Sequence, residues 1–248
     1  MNKVLLIGET CDDIFIYGTV NRLSPEAPIP VINPIHTITN KGMAENVKLN
    51  LESLGINCDF LTNNETITKT RYVDDSYNYI LLRIDENDIV NPLDVINNLD
   101  NYEYLIIADY NKGLLKKEFI KKITQNFKGI TFIDTKKKLG KWCSNIDFIK
   151  INFNEYERSK NFIKNNSWIN DKLIVTRGKF GCDYKQKTYP TKEVSIKDVA
   201  GAGDTFLAGL IFKYIQTNSI EDSLDFANKC STQVVQKRGV SIVDKTKL

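Results

Sequence analysis

Histidine is almost absent: His36 is the only one in 248 residues. That rules out metal centres built on several histidines and leaves Ser-His-Asp catalysis within one chain without support. Cysteine is sparse and scattered. Cys11, Cys58, Cys143, Cys182 and Cys230 are odd in number and form no C-x-x-C pair, which argues against a disulfide framework or zinc site and fits a reducing compartment. Long apolar runs are missing too. Val4-Leu5-Leu6-Ile7 ends at Gly8, too short for a signal-peptide core or a membrane span, so a cytoplasmic location without membrane contact is expected. Nor does one sign of charge dominate. Lys plus Arg number 34 against 31 Asp plus Glu, too balanced to point to a nucleic-acid partner. Two phosphate-binding patterns are also missing. There is no G-x-x-x-x-G-K-[ST], and Gly8 is followed by Glu9-Thr10-Cys11 rather than G-x-G-x-x-G, which argues against a nicotinamide dehydrogenase.

What is present reads as one soluble α/β domain over residues 1–248. Short apolar runs recur at Val4–Ile7, Tyr104–Ala108, Ile130–Ile133, Phe148–Ile151 and Leu173–Val175. Four of them give way to Asp109, Asp134, Asn152 and Thr176, the pattern of a parallel sheet with its ligand site at the carboxyl edge. Helices are expected over Ala44–Leu54, stopped by Gly55, in the segment after Asp204, and over Ile220–Val235. Two stretches break this rhythm. Ile14–Ile32 alternates around Pro25, Pro28 and Pro30, and Thr70–Asp85 reads as a hairpin turning at Asp74-Asp75-Ser76, giving lid segments at about residues 14–36 and 68–85. Both are assigned to a small β-lid on the α/β core.

The most informative segment is Asp198-Val199-Ala200-Gly201-Ala202-Gly203-Asp204-Thr205, which opens an amphipathic helix. Gly201 and Gly203 let backbone amides face a ligand, and the helix N-terminus adds partial positive charge. With Ala202 between them they make a cradle for a transferring phosphoryl group. Asp204 is placed to take a proton from an attacking hydroxyl. The bland alternative is a glycine-rich turn whose acid merely starts a helix. The full string, late in an α/β chain, favours the chemical reading.

These residues resemble the C-terminal signature of the ribokinase-like (PfkB) carbohydrate kinases, and Asn152-Phe153-Asn154-Glu155 resembles that family's N-x-x-E motif. Arg22-Leu23-Ser24-Pro25-Glu26-Ala27-Pro28-Ile29-Pro30-Val31 is similar to a segment of the D-glycero-D-manno-heptose 7-phosphate kinases. So are Gly42-Met43-Ala44-Glu45-Asn46-Val47, Thr68-Lys69-Thr70-Arg71 and Asp109-Tyr110-Asn111-Lys112-Gly113, in the family's order. The resemblance implies a three-layer α/β/α core with a mostly parallel sheet and a β-lid. It implies ATP and Mg2+ as cofactors and transfer of phosphate to the anomeric hydroxyl of a heptose 7-phosphate, giving a 1,7-bisphosphate for surface-polysaccharide precursors. A kinase of another sugar, or a non-catalytic sugar-phosphate sensor on the same fold, stands as the alternative.

Residue by residue, the resemblance puts Asp204 and the 201–203 amides at the chemistry. Asn152, Glu155, Lys136, Thr176, Gly178 and Gly181 fall on the nucleotide side, with Glu155 holding magnesium through water. Asp13, Gly42, Asn46, Lys69, Arg71, Asp109 and Lys112 fall on the acceptor side, the basic ones against the sugar's own phosphate. Lys137 and Lys138 are read as exposed, and His36 is assigned nothing. A homodimer through the lid is expected. The chain departs from the family at Glu9, where Asp is usual, and at Met43, where a second glycine is usual. It is also short by about one strand–helix unit near Gly55–Ile56. No nucleotidyltransferase domain is expected after Leu248.

Overall fold

The computed structural model describes residues 3–248. The chain order is β1 (Val4–Gly8), β2 (Thr10–Leu23), β3 (Pro30–Met43), α1 (Ala44–Leu54), β4 (Asp59–Leu61), β5 (Thr68–Asp74) and β6 (Tyr79–Glu86). Then follow β7 (Tyr104–Asp109), α2 (Lys117–Asn126), β8 (Ile130–Thr135), β9 (Phe148–Asn152), α3 (Phe153–Lys164) and β10 (Leu173–Thr176). The chain closes with β11 (Cys182–Tyr184), β12 (Lys187–Tyr189), α4 (Ala202–Thr217) and α5 (Ile220–Val234).

An eight-stranded sheet runs in the order β12-β11-β10-β9-β8-β7-β1-β4. Its strands pair in parallel from β4 to β10, and the β11–β12 hairpin adds an antiparallel edge. The central strands are apolar on both faces because both faces are covered. Leu5 and Ile7 of β1 join Ile107, Ile133 and Ile149 in a core closed by Phe119, Ile120 and Ile123 of α2 and Ile163 of α3. Val4 and Leu6 point the other way, onto Val47 and Leu51 of α1 and Leu207, Leu210 and Ile211 of α4. Two helical layers over one sheet make a three-layer α/β/α fold. Gly55 stops α1 with φ 98°, as its position after Leu54 predicts.

The lid is a separate four-stranded sheet, β3-β2-β5-β6, with β2 and β5 parallel. It is longer than residues 14–36 and 68–85: β2 starts at Thr10 and β3 runs to Met43. The prolines explain the shortened sequence reading. Pro25 and Pro28 lie in the connection, whereas Pro30 and Pro34 sit in β3, an edge strand that tolerates a missing donor, with a register break at Gly18/Pro34. Among the described residues no helix is long and apolar enough to cross a membrane.

Candidate active site

The carboxyl ends of β1, β7, β8, β9 and β10 converge beneath the lid, where two cavities meet. One, of about 230 Å³, is mainly apolar, with Val194, Ile196, Val199, Phe206 and Val235 in its wall. The other, of about 400 Å³, is charged. Lys69, Arg71, Arg83, Lys136 and Lys150 line it together with Asp13, Asp134 and Asp204. Thr176, Gly178 and Gly203 belong to both walls, so a ligand could pass from one to the other over the start of α4.

The turn into α4 forms that boundary. Gly201 has φ 76°, and a Cβ there would lie 2.7 Å from Asn46 Nδ2. A glycine is therefore required both for the backbone angle and for the close approach. Both oxygens of Asp198 hold the turn, accepting from the amides of Ala200 (2.9 Å) and Gly239 (3.0 Å). The Ala202 amide donates to Val199 O at 3.3 Å. The amides of Gly201, Gly203 and Asp204 have no partner among the described residues. The expected 201–203 cradle is thus shifted: Ala202 is partly committed, and the Asp204 amide joins the two glycines.

Asp204 is buried at the floor. One carboxylate oxygen accepts from Asn46 Nδ2 at 2.9 Å, the other from the Tyr110 hydroxyl. Burial pushes its carboxyl above the usual range, with the Asp134 charge adding to this, while the two donors and Lys150 pull it back. Lys150 is buried within β9, donating to Asp134 Oδ2 at 2.6 Å and to Gly203 O at 3.3 Å. Burial alone would raise Asp134, but Lys136 and Lys150 hold it below the ordinary value.

The expected site residues separate into three groups. Asp13, Gly42, Lys69, Arg71, Lys136, Asn152, Thr176, Gly178, Gly201, Gly203 and Asp204 all line the charged cavity. Gly181 and Ala202 line the apolar one. The rest are placed differently from the expectation. Asn46 does not line the cavity but bonds Asp204 and, through its carbonyl oxygens, Asn50. Asp109 lies away from the cavity, bonded to Thr135 Oγ1 (2.5 Å) and paired with Lys137. That pairing also corrects Lys137, which is buried because Asp109 needs a cation, while Lys138 is exposed. Lys112 pairs with Asp88 and lines neither cavity. Glu155 is turned inward. It closes a reciprocal cap with Asn152 at the start of α3 and pairs with Lys136 at 2.8 Å.

On the acceptor side, Arg71 Nη1 donates to Asp13 Oδ1 at 2.7 Å, and its guanidinium lies 4.9 Å from the Phe15 ring centre. It therefore orients Asp13 as well as facing the cavity. Arg83 is engaged by both oxygens of Asp85. Lys69 is buried, 5.7 Å from the Tyr110 ring centre, with no carboxylate within 4.0 Å among the described residues. A Cβ on Gly42 would lie 2.3 Å from Asp13 Oδ2, so Gly42 is what admits that carboxylate.

Sequence reasoning missed Tyr110, Lys150, Asp134 and Arg83. Lys150 had a signal, since a lysine inside Phe148-Ile149-Lys150-Ile151 must find a buried partner. Tyr110 had none beyond its neighbours.

A family model described as pfkB family carbohydrate kinase matches residues 39–247. A bifunctional protein HldE from Helicobacter pylori (strain J99) is 27% identical over 299 residues, covering 98% of this chain and 64% of the relative. The protein of the same description from Haemophilus influenzae (strain PittGG) is 30% identical over 300 residues, covering 99% of this chain and 62% of its own. The chain thus spans less than two thirds of these curated relatives' length. The matched stretches exceed the 248 residues available here, so the relatives carry segments that this chain lacks. Among solved structures, ribokinase from Thermotoga maritima superposes with a TM-score of 0.78 at 16% identity, covering 99% of this chain and 97% of that one. Ribokinase from Arabidopsis thaliana complexed with ribose and ATP gives 0.74 at 15% identity over 99% and 97%. Matched span and fold agree with the motifs at the cleft, and the chain belongs to the pfkB family of carbohydrate kinases.

Proposed function

We propose that the protein transfers the γ-phosphate of ATP to the anomeric hydroxyl of a sugar that already carries a phosphate, a heptose 7-phosphate, giving the 1,7-bisphosphate. The observation that carries the acceptor's charge is Lys69. Its ammonium opens on the charged cavity with no carboxylate within 4.0 Å among the described residues, whereas Arg71, Arg83, Lys136 and Lys150 each have one, so Lys69 is the cation left to meet an anion of the ligand. The Ser24-Pro25-Glu26-Ala27-Pro28 segment, which resembles the heptose 7-phosphate kinases, supports the same choice of sugar, alongside the relatives described as bifunctional protein HldE.

The adenine ring fits the apolar cavity beside Val199, Phe206 and Val235, and the phosphates run over Gly203 toward Lys136 and Asn152. Asp13, oriented by Arg71, accepts hydrogen bonds from sugar hydroxyls. Lys69 holds the acceptor phosphate as a point charge. The attacking hydroxyl gives its proton to Asp204 as its oxygen bonds the γ-phosphorus and ADP leaves. The Gly201, Gly203 and Asp204 amides, together with Lys150, bear on the charge of the group in flight.

Among the described residues, no group of three or more His, Cys, Asp or Glu could hold a metal ion alone. Asp134 Oδ1, however, is buried without a hydrogen-bond partner, with Lys136 Nζ 3.7 Å away. That oxygen suits a magnesium ion arriving on the nucleotide, where Asp134 would hold it, and Glu155 would act behind Lys136 and Asn152. Bound Mg2+ supplies neutralisation of the phosphate charge. The lid also leaves Leu23, Ile35, Ile38, Ile80 and Leu82 exposed, an apolar set that suits a second copy in a homodimer.

The test is turnover of ATP with a panel of sugars, each with and without a terminal phosphate, followed by phosphorus NMR of the product. The expected product carries a new anomeric phosphate, formed from phosphorylated acceptors and only weakly from the free sugars. Preference for free sugars would overturn the acceptor assignment. Tight sugar-phosphate binding without turnover would favour the sensor.

A further inference from the structure

Asp204 has one donor on each oxygen, and both donors are fixed by one residue that touches neither substrate cavity. Glu9 is fully buried. One of its carboxylate oxygens accepts from the Tyr110 amide at 2.8 Å, the other from the Lys112 amide at 2.9 Å. Its backbone carbonyl accepts from the Ala44 amide at 2.9 Å, at the start of the helix that carries Asn46. The loop bearing Tyr110 and the helix bearing Asn46 are therefore tied to the same point at the end of β1.

The Tyr110 side chain is the second part of the observation. Its hydroxyl donates to Asp204 Oδ1, and its ring lies 5.7 Å from Lys69 Nζ and 5.4 Å from Lys136 Nζ. It thus stands between the ammonium assigned to the acceptor phosphate and the one assigned to the nucleotide, with the base at its tip. We propose that Tyr110 is a positioning residue for the base. Its hydroxyl keeps the buried Asp204 carboxylate ionised and turned so that a free lone pair meets the acceptor hydroxyl. This deepens the kinase reading and rests on Asp204 being the base.

The proton balance is simple. The acceptor hydroxyl's proton moves to Asp204 as the new P–O bond forms and the bond to ADP breaks. Tyr110 keeps its own proton throughout, because burial, and then the nearby Asp204 and Asp134 charges, push the phenol well above its ordinary range. A carboxylate oxygen offers about two acceptor sites, so one hydrogen bond to each oxygen still leaves room for the incoming proton. The other charged or titratable groups bearing on Asp204 are Asp134 on β8, Lys136 after β8, Lys150 on β9 and Cys11 on β2. None of them stands on the chain segment that carries Tyr110.

Tyr110→Phe removes the hydroxyl and leaves the ring beside Lys69 and Lys136. The experiment compares the pH dependence of kcat at saturating ATP and acceptor in the wild type and in Y110F. Both carry the same substrates, so ionisation of the substrate phosphates is common to the two profiles. Loss of a hydrogen bond to the charged form raises the base's pKa, so the acid limb moves up by about one to two pH units. The KM for ATP stays near the wild-type value. Replacing Tyr110 alone with 3,5-difluorotyrosine, a stronger donor of the same shape, moves the limb the other way and keeps the test alive if Y110F folds poorly. An acid limb that stays put in both variants would overturn the proposal. Asp204→Asn, run in parallel, separates the two readings. Near-normal turnover there removes the base itself, whereas an inactive D204N beside an unmoved Y110F profile removes only the role of Tyr110.

Discussion

On the nucleotide side of the cleft the walls are backbone and hydrocarbon. The Gly201–Asp204 turn offers amides, and Val199, Phe206 and Val235 offer apolar surface, all on or beside α4 and α5 of the core. On the acceptor side the walls are charged side chains from lid strands: Asp13 against Arg71, Arg83 against Asp85, and Lys69 alone. Amides and a helix terminus stabilise a phosphoryl group whatever it is transferred to, and they need no partner to hold them in place. Side-chain ions select a particular acceptor, but each must be balanced by a neighbour or by the ligand itself. On the proposed function, the same chain joins a general phosphoryl-transfer half to an adjustable recognition half, and Asp204, the proposed base, stands where they meet.

The comparison breaks most sharply at that junction. Asp204→Asn keeps the amide cradle and removes the proton acceptor, so kcat should fall by roughly 10²–10⁴ while nucleotide affinity, read by calorimetry, stays near normal. Equal losses in both would mean that the carboxylate holds the turn together rather than serving the acceptor. A smaller effect is expected at Met43, where recognition half and core touch. Met43 is buried in the core and has φ 57°, ψ −132°, a backbone conformation that L residues rarely adopt. Met43→Ala loses packing and keeps the strain. Met43→Gly loses packing but relieves strain of about 1–3 kcal/mol. Thermal unfolding should therefore rank the glycine variant above the alanine variant, the reverse of the ordinary order, in which glycine is worse by about 0.5–1 kcal/mol. Alanine ranking higher would show that the strain is not felt.

The core was readable because it is locally encoded. Strands such as Val4–Gly8 and Leu173–Thr176 bury both faces and close at a glycine or a polar residue, and Ala44–Leu54 carries an apolar stripe stopped by Gly55. The α4 turn was readable for the same reason, since the cradle proposed there is built from closely spaced glycines and consecutive amides. The lid was read too short because prolines in an edge strand look like a break. Asp109, Lys112 and Asn46 were misplaced because their partners are remote in sequence. Lys137 balances Asp109 across 28 positions, Asp88 takes Lys112 across 24, and Asp204 takes Asn46 across 158. No window of sequence contains both members of such a pair. Tyr110 lies 94 positions from Asp204 and was invisible for the same reason.

The claim that the lid half reads a phosphate on the acceptor is tested most directly at Lys69. Lys69→Met keeps the length and apolar stem and removes the charge. The account predicts that KM for the phosphorylated sugar rises roughly 10–100-fold, the scale of a lost hydrogen bond to a charged group, with KM for ATP and the weak turnover of the unphosphorylated sugar unchanged. An equal rise for the two sugars, or no rise for either, would contradict it.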